Sequence, residues 1–298
     1  VARLVPDCLI IGAAKAGTTS LFNVLASHPQ VAASSVKETR FFSHDGRFEK
    51  GLAWYQQEYF GGAPAQAVRM EASPAYLTWS DKVAPRIRQS EEEFPAVLVA
   101  ILRDPVSRAY SHYCHRVRLG HEHLSFADAL AQEEARLRAG WNELSTTGNG
   151  KYGYVRASCY ATRLRPFIER FDRSRLFFLL QEDLLEGRFQ ESTTRLLRFL
   201  QIDETVPLEP ARLNAATRAR HPRLAKSYWR LKKTFVKRLY TTLVPPPVRR
   251  IVLPALFPAS AYPRMDPEIE HRLRVRFAPE VRQCEDLIQR DLSHWLPA

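Results

Sequence analysis

Three apolar runs punctuate the chain: Cys8 to Ile11, Ala96 to Leu102 and Leu176 to Leu180. Unbroken apolar runs of this length predict strands buried on both faces. Shorter strands are expected at Val31-Ala32-Ala33 and from Ala67 to Glu71. Between them the apolar positions take helical spacing. Leu21, Phe22, Val24 and Leu25 form one side of a helix from Thr18 to about Ser27, which His28-Pro29 ends. Further helices are predicted over 83–88, 106–119, 126–139, 154–171 and 189–200, the third opened by Ser125 as N-cap. Phe41-Phe42, Trp54-Tyr55 and Tyr59-Phe60 make an aromatic-rich connection, and Gly148-Asn149-Gly150 a loop. The last part, Pro267 to Trp295, reads as a terminal helix. Strands alternating with helices predict an α/β fold: three layers, with a central parallel sheet flanked by helices. Ligands of such sheets sit at the carboxyl ends of the strands. Three polar features fall there: the loop after the first strand, Glu71 and Arg103.

That first loop carries the strongest signal. Gly12-Ala13-Ala14-Lys15-Ala16-Gly17-Thr18-Thr19-Ser20 runs from a strand into a helix. A glycine-bounded loop feeding a helix N-terminus turns backbone N–H groups towards an anion. The outer frame is that of a P-loop, with four residues between Gly12 and Gly17, so the fold is P-loop-like. The lysine is displaced, however. A nucleoside-triphosphate loop places Lys directly after the second glycine, where Thr18 stands; here the loop's lysine is Lys15. A P-loop kinase or NTPase is therefore the alternative and not the first reading. It is further disfavoured by Arg103, which ends the Ala96–Leu102 strand where an acidic residue is wanted.

The bulk properties narrow the class. At 298 residues, 45% hydrophobic and 26% charged, the chain suits a soluble globular protein, with no run near the ~18 apolar residues of a membrane span. No secretory signal is visible, and the four scattered cysteines form no CxxC pair, so free thiols and a cytoplasmic location are expected. The net charge of +12 is local: residues 210–265 hold 13 Lys/Arg and no Asp or Glu, leaving 31 basic against 32 acidic residues elsewhere. His112, His115, His121 and His123 lie close together, but no carboxylate or Cys completes a metal spacing. No metal is expected; one of these histidines is a candidate for lining an acceptor site.

A second element is Arg103-Asp104-Pro105-Val106-Ser107-Arg108-Ala109-Tyr110-Ser111. A strand-end guanidinium and a hydroxyl on the next helix suit a second phosphate group. Together the two motifs resemble those of sulfotransferases that use 3′-phosphoadenosine 5′-phosphosulfate (PAPS), the heparan sulfate sulfotransferases and their bacterial relatives in particular. Met70-Glu71-Ala72-Ser73-Pro74-Ala75-Tyr76 is similar to a Glu-Lys-Thr-Pro-Ala-Tyr element of that family. Cys159-Tyr160-Ala161-Thr162-Arg163-Leu164 and the ending Arg290 to Trp295 are also of its type.

The resemblance implies roles. The N–H groups of Ala16, Gly17, Thr18, Thr19 and Ser20, with the Thr18 and Thr19 hydroxyls, would hold the 5′-phosphate. Lys15 would meet the bridging oxygen, and Arg103 and Ser111 the 3′-phosphate. Glu71 would be the general base for an acceptor hydroxyl in direct in-line transfer, leaving PAP. Ala72 replaces the lysine common after this glutamate in the heparan enzymes. A basic loop for the 3′-phosphate would fall at Arg218 and Arg220. One domain over 1–298 is expected, with a basic helical insertion at about 223–262. Its stretch 223–243 could close over the acceptor as a lid, lie on an anionic membrane or grip an acidic partner. A peripheral position at a membrane is compatible with the first expectation of a cytoplasmic enzyme. Nucleic acid is not expected. A non-enzymatic basic binder would fit the insertion, but it would leave both phosphate motifs without a use.

Overall fold

The computed structural model describes residues 7–64, 67–90, 96–139, 152–185, 187–210 and 263–297. Five strands form one parallel sheet: β1 (Cys8–Gly12), β2 (Val31–Ala33), β3 (Val68–Ala72), β4 (Val97–Leu102) and β5 (Leu176–Leu180), in the order β2-β3-β1-β4-β5. Every residue of β1 is buried, as its unbroken apolar run requires of a central strand covered on both faces. Ile10 pairs with Ala72 on one side and Val99 on the other. After β1 the chain runs out to β2, whereas β4 feeds β5 on the opposite flank. The switch point therefore lies between β1 and β4, where a crevice opens above the carboxyl ends of an α/β sheet.

The helices are α1 (Thr18–Ala26), α2 (Asp45–Phe48), α3 (Gly51–Phe60), α4 (Ala75–Thr78), α5 (Ser80–Gln89), α6 (Pro105–Arg118), α7 (Phe126–Ala131), α8 (Glu133–Arg138), α9 (Tyr160–Ile168), α10 (Phe189–Phe199) and α11 (Pro267–Ile288). The expected α/β layering is present, with corrections to individual elements. The aromatic connection contains α2 and α3. Its rings stack inward: Phe41 lies 4.3 Å from Tyr55 at 18°, and Phe42 meets Tyr76 edge-on. The single helix expected over 126–139 breaks at Gln132 into α7 and α8. That expected from Tyr154 starts only at Tyr160, because the preceding backbone bonds elsewhere: Glu133 accepts the Val155 and Arg156 N–H groups. The terminal helix ends at Ile288, and a 3-10 turn at Ser293–Trp295 follows. Helix α11 packs on α9 and α6. Among the described residues no helix is long and apolar enough to cross a membrane. The proposed insertion at 223–262, with Arg218 and Arg220, lies outside the described residues.

Candidate active site

The phosphate-type loop leaves β1 by hugging β4: the Ala13 N–H donates to the Ile101 carbonyl at 2.7 Å. Two glycines make its path possible. A Cβ on Gly12 would sit 2.5 Å from the Leu77 Cβ, closer than side chains approach, and Gly17 enters α1 with φ +107°. Gly17 caps α1 without a side-chain hydrogen bond, and the first turn holds no acidic residue. The N–H groups of Thr18, Thr19 and Ser20 thus face an opening with no partner among the described residues, the arrangement that binds anions. The Ala16 N–H donates back to the Ala13 carbonyl at 3.2 Å and so shapes the loop from within. Thr18 is also buried, its side chain turned to the interior, while Thr19 stays half-exposed.

Two arginines brace the loop from the β4 side. Arg103 donates to the Lys15 carbonyl at 3.2 Å, and the Tyr160 hydroxyl holds the Arg103 carbonyl at 2.8 Å. Arg108 reaches the Ala14 carbonyl at 3.5 Å. Helix α6 starts on Asp104, whose carboxylate accepts the Ser107 N–H at 2.7 Å and pairs with Arg274 at 3.2 Å. Ser111 follows Ser107 by one turn, and His115 follows Ser111, so the three share the half-buried side of α6. The Ser111 hydroxyl has no hydrogen-bond partner among the described residues.

The electrostatics are one-sided. Lys15 adopts φ 75° and is surrounded by cations. Burial, then Arg118, Arg103 and Arg108, push its ammonium down to about 8. His115 is pushed down to about 3 by burial and then by Lys15 and Arg118. It is therefore neutral, with Nδ1 accepting from Arg118 at 2.9 Å. Burial and neighbouring like charge both disfavour the charged forms here, so an anion placed beside Lys15 would favour its ammonium.

Glu71 lies on β3 beside Leu9 of β1 and has no exposed surface. Tyr55 and Ser73 donate to its two oxygens, and Tyr76 donates to both at 2.9 Å. Burial pushes its carboxyl up, and the hydroxyls of Ser73, Tyr55, Thr39 and Tyr76 pull the other way without overcoming it. Among the described residues Glu71 is fully enclosed, and three O–H donors bond its two oxygens. Its burial and its three hydroxyl donors bear on the expected role of Glu71 as base: it would meet an acceptor only through one of those hydroxyls.

A second carboxylate stands at the same strand end. Glu38 donates its N–H to the Ala72 carbonyl at 3.0 Å, one residue beyond Glu71, and 26% of its side chain is exposed. Lys37 and Arg40 each pair with it at 3.0 Å. Burial acts to raise its carboxyl, but Lys37 and Arg40 outweigh that and hold it below the usual carboxylate value. Glu38 and Arg40 both take the left-handed backbone, φ 64° and 55°, a strain that non-glycine residues bear where the surroundings impose it. The Arg40 N–H to Ser73 Oγ bond and the one from Arg47 to the Thr39 carbonyl fix that path. Sequence reasoning passed over Glu38 because Val36 to Arg40 has neither strand nor helix periodicity. The usable signal was an isolated charge cluster directly before the buried Phe41-Phe42 pair.

Heparan sulfate glucosamine 3-O-sulfotransferase 5 of Mus musculus is 32% identical over 166 residues, 56% of this chain and 45% of that protein. Heparan sulfate glucosamine 3-O-sulfotransferase 6 of Homo sapiens is 32% identical over 195 residues, 63% of this chain and 52% of that one. The chain thus spans about half the length of these curated relatives. A sulfotransferase crystal structure from Alicyclobacillus acidocaldarius superposes with a TM-score of 0.70 at 25% identity, covering 99% of both chains. Residues 5–223 match the model of the sulfotransferase domain, and with that match the chain belongs to the sulfotransferase family.

Proposed function

We propose that the protein transfers a sulfuryl group from PAPS to an acceptor hydroxyl by direct in-line displacement. The observation that carries this reading is the open α1 N-terminus, with Lys15 set inside the loop among Arg103, Arg108 and Arg118. The orphan N–H groups, the uncapped helix and the absence of acidic side chains in its first turn all fit a phosphate. PAPS supplies an activated sulfuryl group on a phosphate leaving group. Gly17, Thr18, Thr19 and Ser20 hold the 5′-phosphate through backbone N–H groups, with the Thr19 hydroxyl beside them. Arg103 and Ser111 hold the 3′-phosphate, joined in this reading by Arg218 and Arg220. Lys15 stabilises the negative charge that grows on the bridging oxygen as the bond to sulfur breaks.

The acceptor hydroxyl loses its proton as its oxygen bonds to sulfur. We assign that proton to Glu38, the accessible and ionised carboxylate at the end of β3. Glu71 then organises the site: it ties Tyr55, Ser73 and Tyr76 together, and Ser73 in turn holds the Arg40 backbone N–H at 3.0 Å. Hydroxyls on an anionic saccharide are the favoured acceptors, since Lys37, Arg40 and Arg118 border the site and two relatives are named for heparan sulfate. Incubation with PAPS radiolabelled in the sulfuryl group and a panel of saccharides, lipids and amines tests this. Label is expected on hydroxyls of acidic saccharides; label confined to amines, or released only to water, contradicts it.

A pH dependence follows from Lys15. Its ammonium, lowered to about 8, is charged below that pH and neutral above it. Affinity for PAP is therefore full below pH 8 and falls as pH rises through it, with proton uptake on binding above pH 8. Calorimetry in two buffers of different ionisation enthalpy measures that uptake. Equal affinity at pH 7 and pH 9.5, with no uptake, would remove Lys15 from the anion site.

A further inference from the structure

Arg108 is the largest fully buried side chain of the described fold, 1% exposed, and no carboxylate among the described residues bonds it. Its Nε donates to Ser158 Oγ at 2.6 Å, one Nη to the Tyr154 carbonyl at 2.6 Å and the other to the Ala14 carbonyl at 3.5 Å. A buried guanidinium hydrogen-bonded to neutral groups alone is costly, because no directly bonded carboxylate offsets its desolvation. The acidic group that acts on it is Glu133, but Glu133 spends both oxygens on the Val155 and Arg156 N–H groups. The 154–158 segment is thus clamped between Glu133 and Arg108, and Arg108 extends the clamp to the phosphate loop.

We propose that Arg108 is a positioning residue for the donor: it holds the Ala14 carbonyl inward and carries a buried charge that Glu133 opposes without bonding it and that the donor's phosphates complete. This rests on the PAPS reading above. In a trans peptide the C=O and the next N–H point in opposite directions, so drawing the Ala14 carbonyl towards Arg108 turns the Lys15 N–H the other way. That N–H has no partner among the described residues. Arg108 therefore aims a donor of the loop without touching the ligand. Its charge also adds to the field that depresses Lys15 and that a bound anion relieves.

The test pairs calorimetry with PAP and melting temperatures, with and without PAP, for the full chain and for Arg108→Met and Arg108→Lys. Methionine removes the charge and leaves the Tyr154 carbonyl satisfied, since the Ser158 hydroxyl donates to it at 3.0 Å. Arg108→Met should weaken PAP binding about 10- to 100-fold, the scale of losing one charge-assisted hydrogen bond and its charge. Its melting temperature without PAP should be unchanged or higher, because a buried charge with no directly bonded carboxylate is gone. Arg108→Lys keeps the charge but cannot span three acceptors, and should fall between. A role in folding alone would lower the melting temperature equally with and without PAP, and that result overturns the proposal. So does wild-type PAP affinity in Arg108→Met. Should Arg108→Met not fold, Arg108→Lys decides: several-fold weaker PAP binding at an unchanged ligand-free melting temperature supports the proposal, and wild-type binding overturns it. Failure of the wild-type protein to bind PAP strikes the PAPS reading itself, whereas equal binding by wild type and variants strikes this inference alone.

Discussion

Glu38→Gln lowers the rate of sulfuryl transfer about 10²- to 10⁴-fold, the range for loss of a general base, and leaves PAP affinity at its wild-type value. The amide keeps the size and the Lys37 contact through its carbonyl, but it cannot take a proton. Glu38 meets the three demands of the role: it is ionised, accessible and fixed by the backbone it shares with Ala72. Glu71→Gln behaves differently. It places an NH₂ group among three O–H donors that need acceptors, and such a mismatch destabilises a buried site by about 1–3 kcal/mol. Its loss of activity should therefore come with a lower melting temperature, whereas Glu38→Gln should melt as the wild type does. If Glu71→Gln abolished turnover at an unchanged melting temperature while Glu38→Gln stayed fully active, the base would be Glu71, reached through one of its hydroxyl donors.

Lys15→Ala should cost about 10²- to 10³-fold in kcat, as removal of a preorganised charge stabiliser does, and should weaken PAP binding too. The two effects have separate causes. The kcat loss reflects charge that appears on the bridging oxygen only as the bond breaks. The binding loss reflects the phosphates already present in the ground state. The variant also relieves Arg103, Arg108 and Arg118 of a neighbouring cation, so its melting temperature without ligand should not fall. A Lys15→Ala enzyme with unchanged kcat and raised KM would limit Lys15 to ground-state binding.

The parts of this fold that were legible in sequence are those governed by local pattern. Strands β1, β4 and β5 appear as unbroken apolar runs because both faces of the sheet are covered. Gly12 and Gly17 mark the loop because its path admits no side chain at one position and a positive φ at the other. Arg103 and Ser111 follow from a strand-to-helix junction with Pro105 in the first helical turn. What stayed hidden depends on partners distant in the chain. Ser73 and Tyr76 are close to Glu71 in the chain, but Tyr55 reaches it only once α3 packs against β3, and the residues around position 71 do not by themselves show that the carboxylate is fully enclosed. The start of α9 is set by Glu133 of α8 and Arg108 of α6, which claim the backbone of residues 154–156 from two other helices. Ala16 illustrates the same limit at short range. Its place in the motif marks it as a loop residue, and the turn within the loop that takes its N–H shows only in the fold.

The loop also separates this site from that of a nucleoside-triphosphate enzyme. With Thr18 directly after Gly17, the position that would carry a β/γ-phosphate lysine holds a buried hydroxyl, and the cation sits three residues earlier. Isothermal titration of the intact protein with PAP, and separately with ATP and Mg²⁺, at pH 7 is the most direct measurement of the central claim. Saturable one-to-one binding of PAP, weakened by Lys15→Ala, with no heat from ATP and Mg²⁺, is the result expected. No binding of PAP, or equal binding of ATP with Mg²⁺, would contradict it.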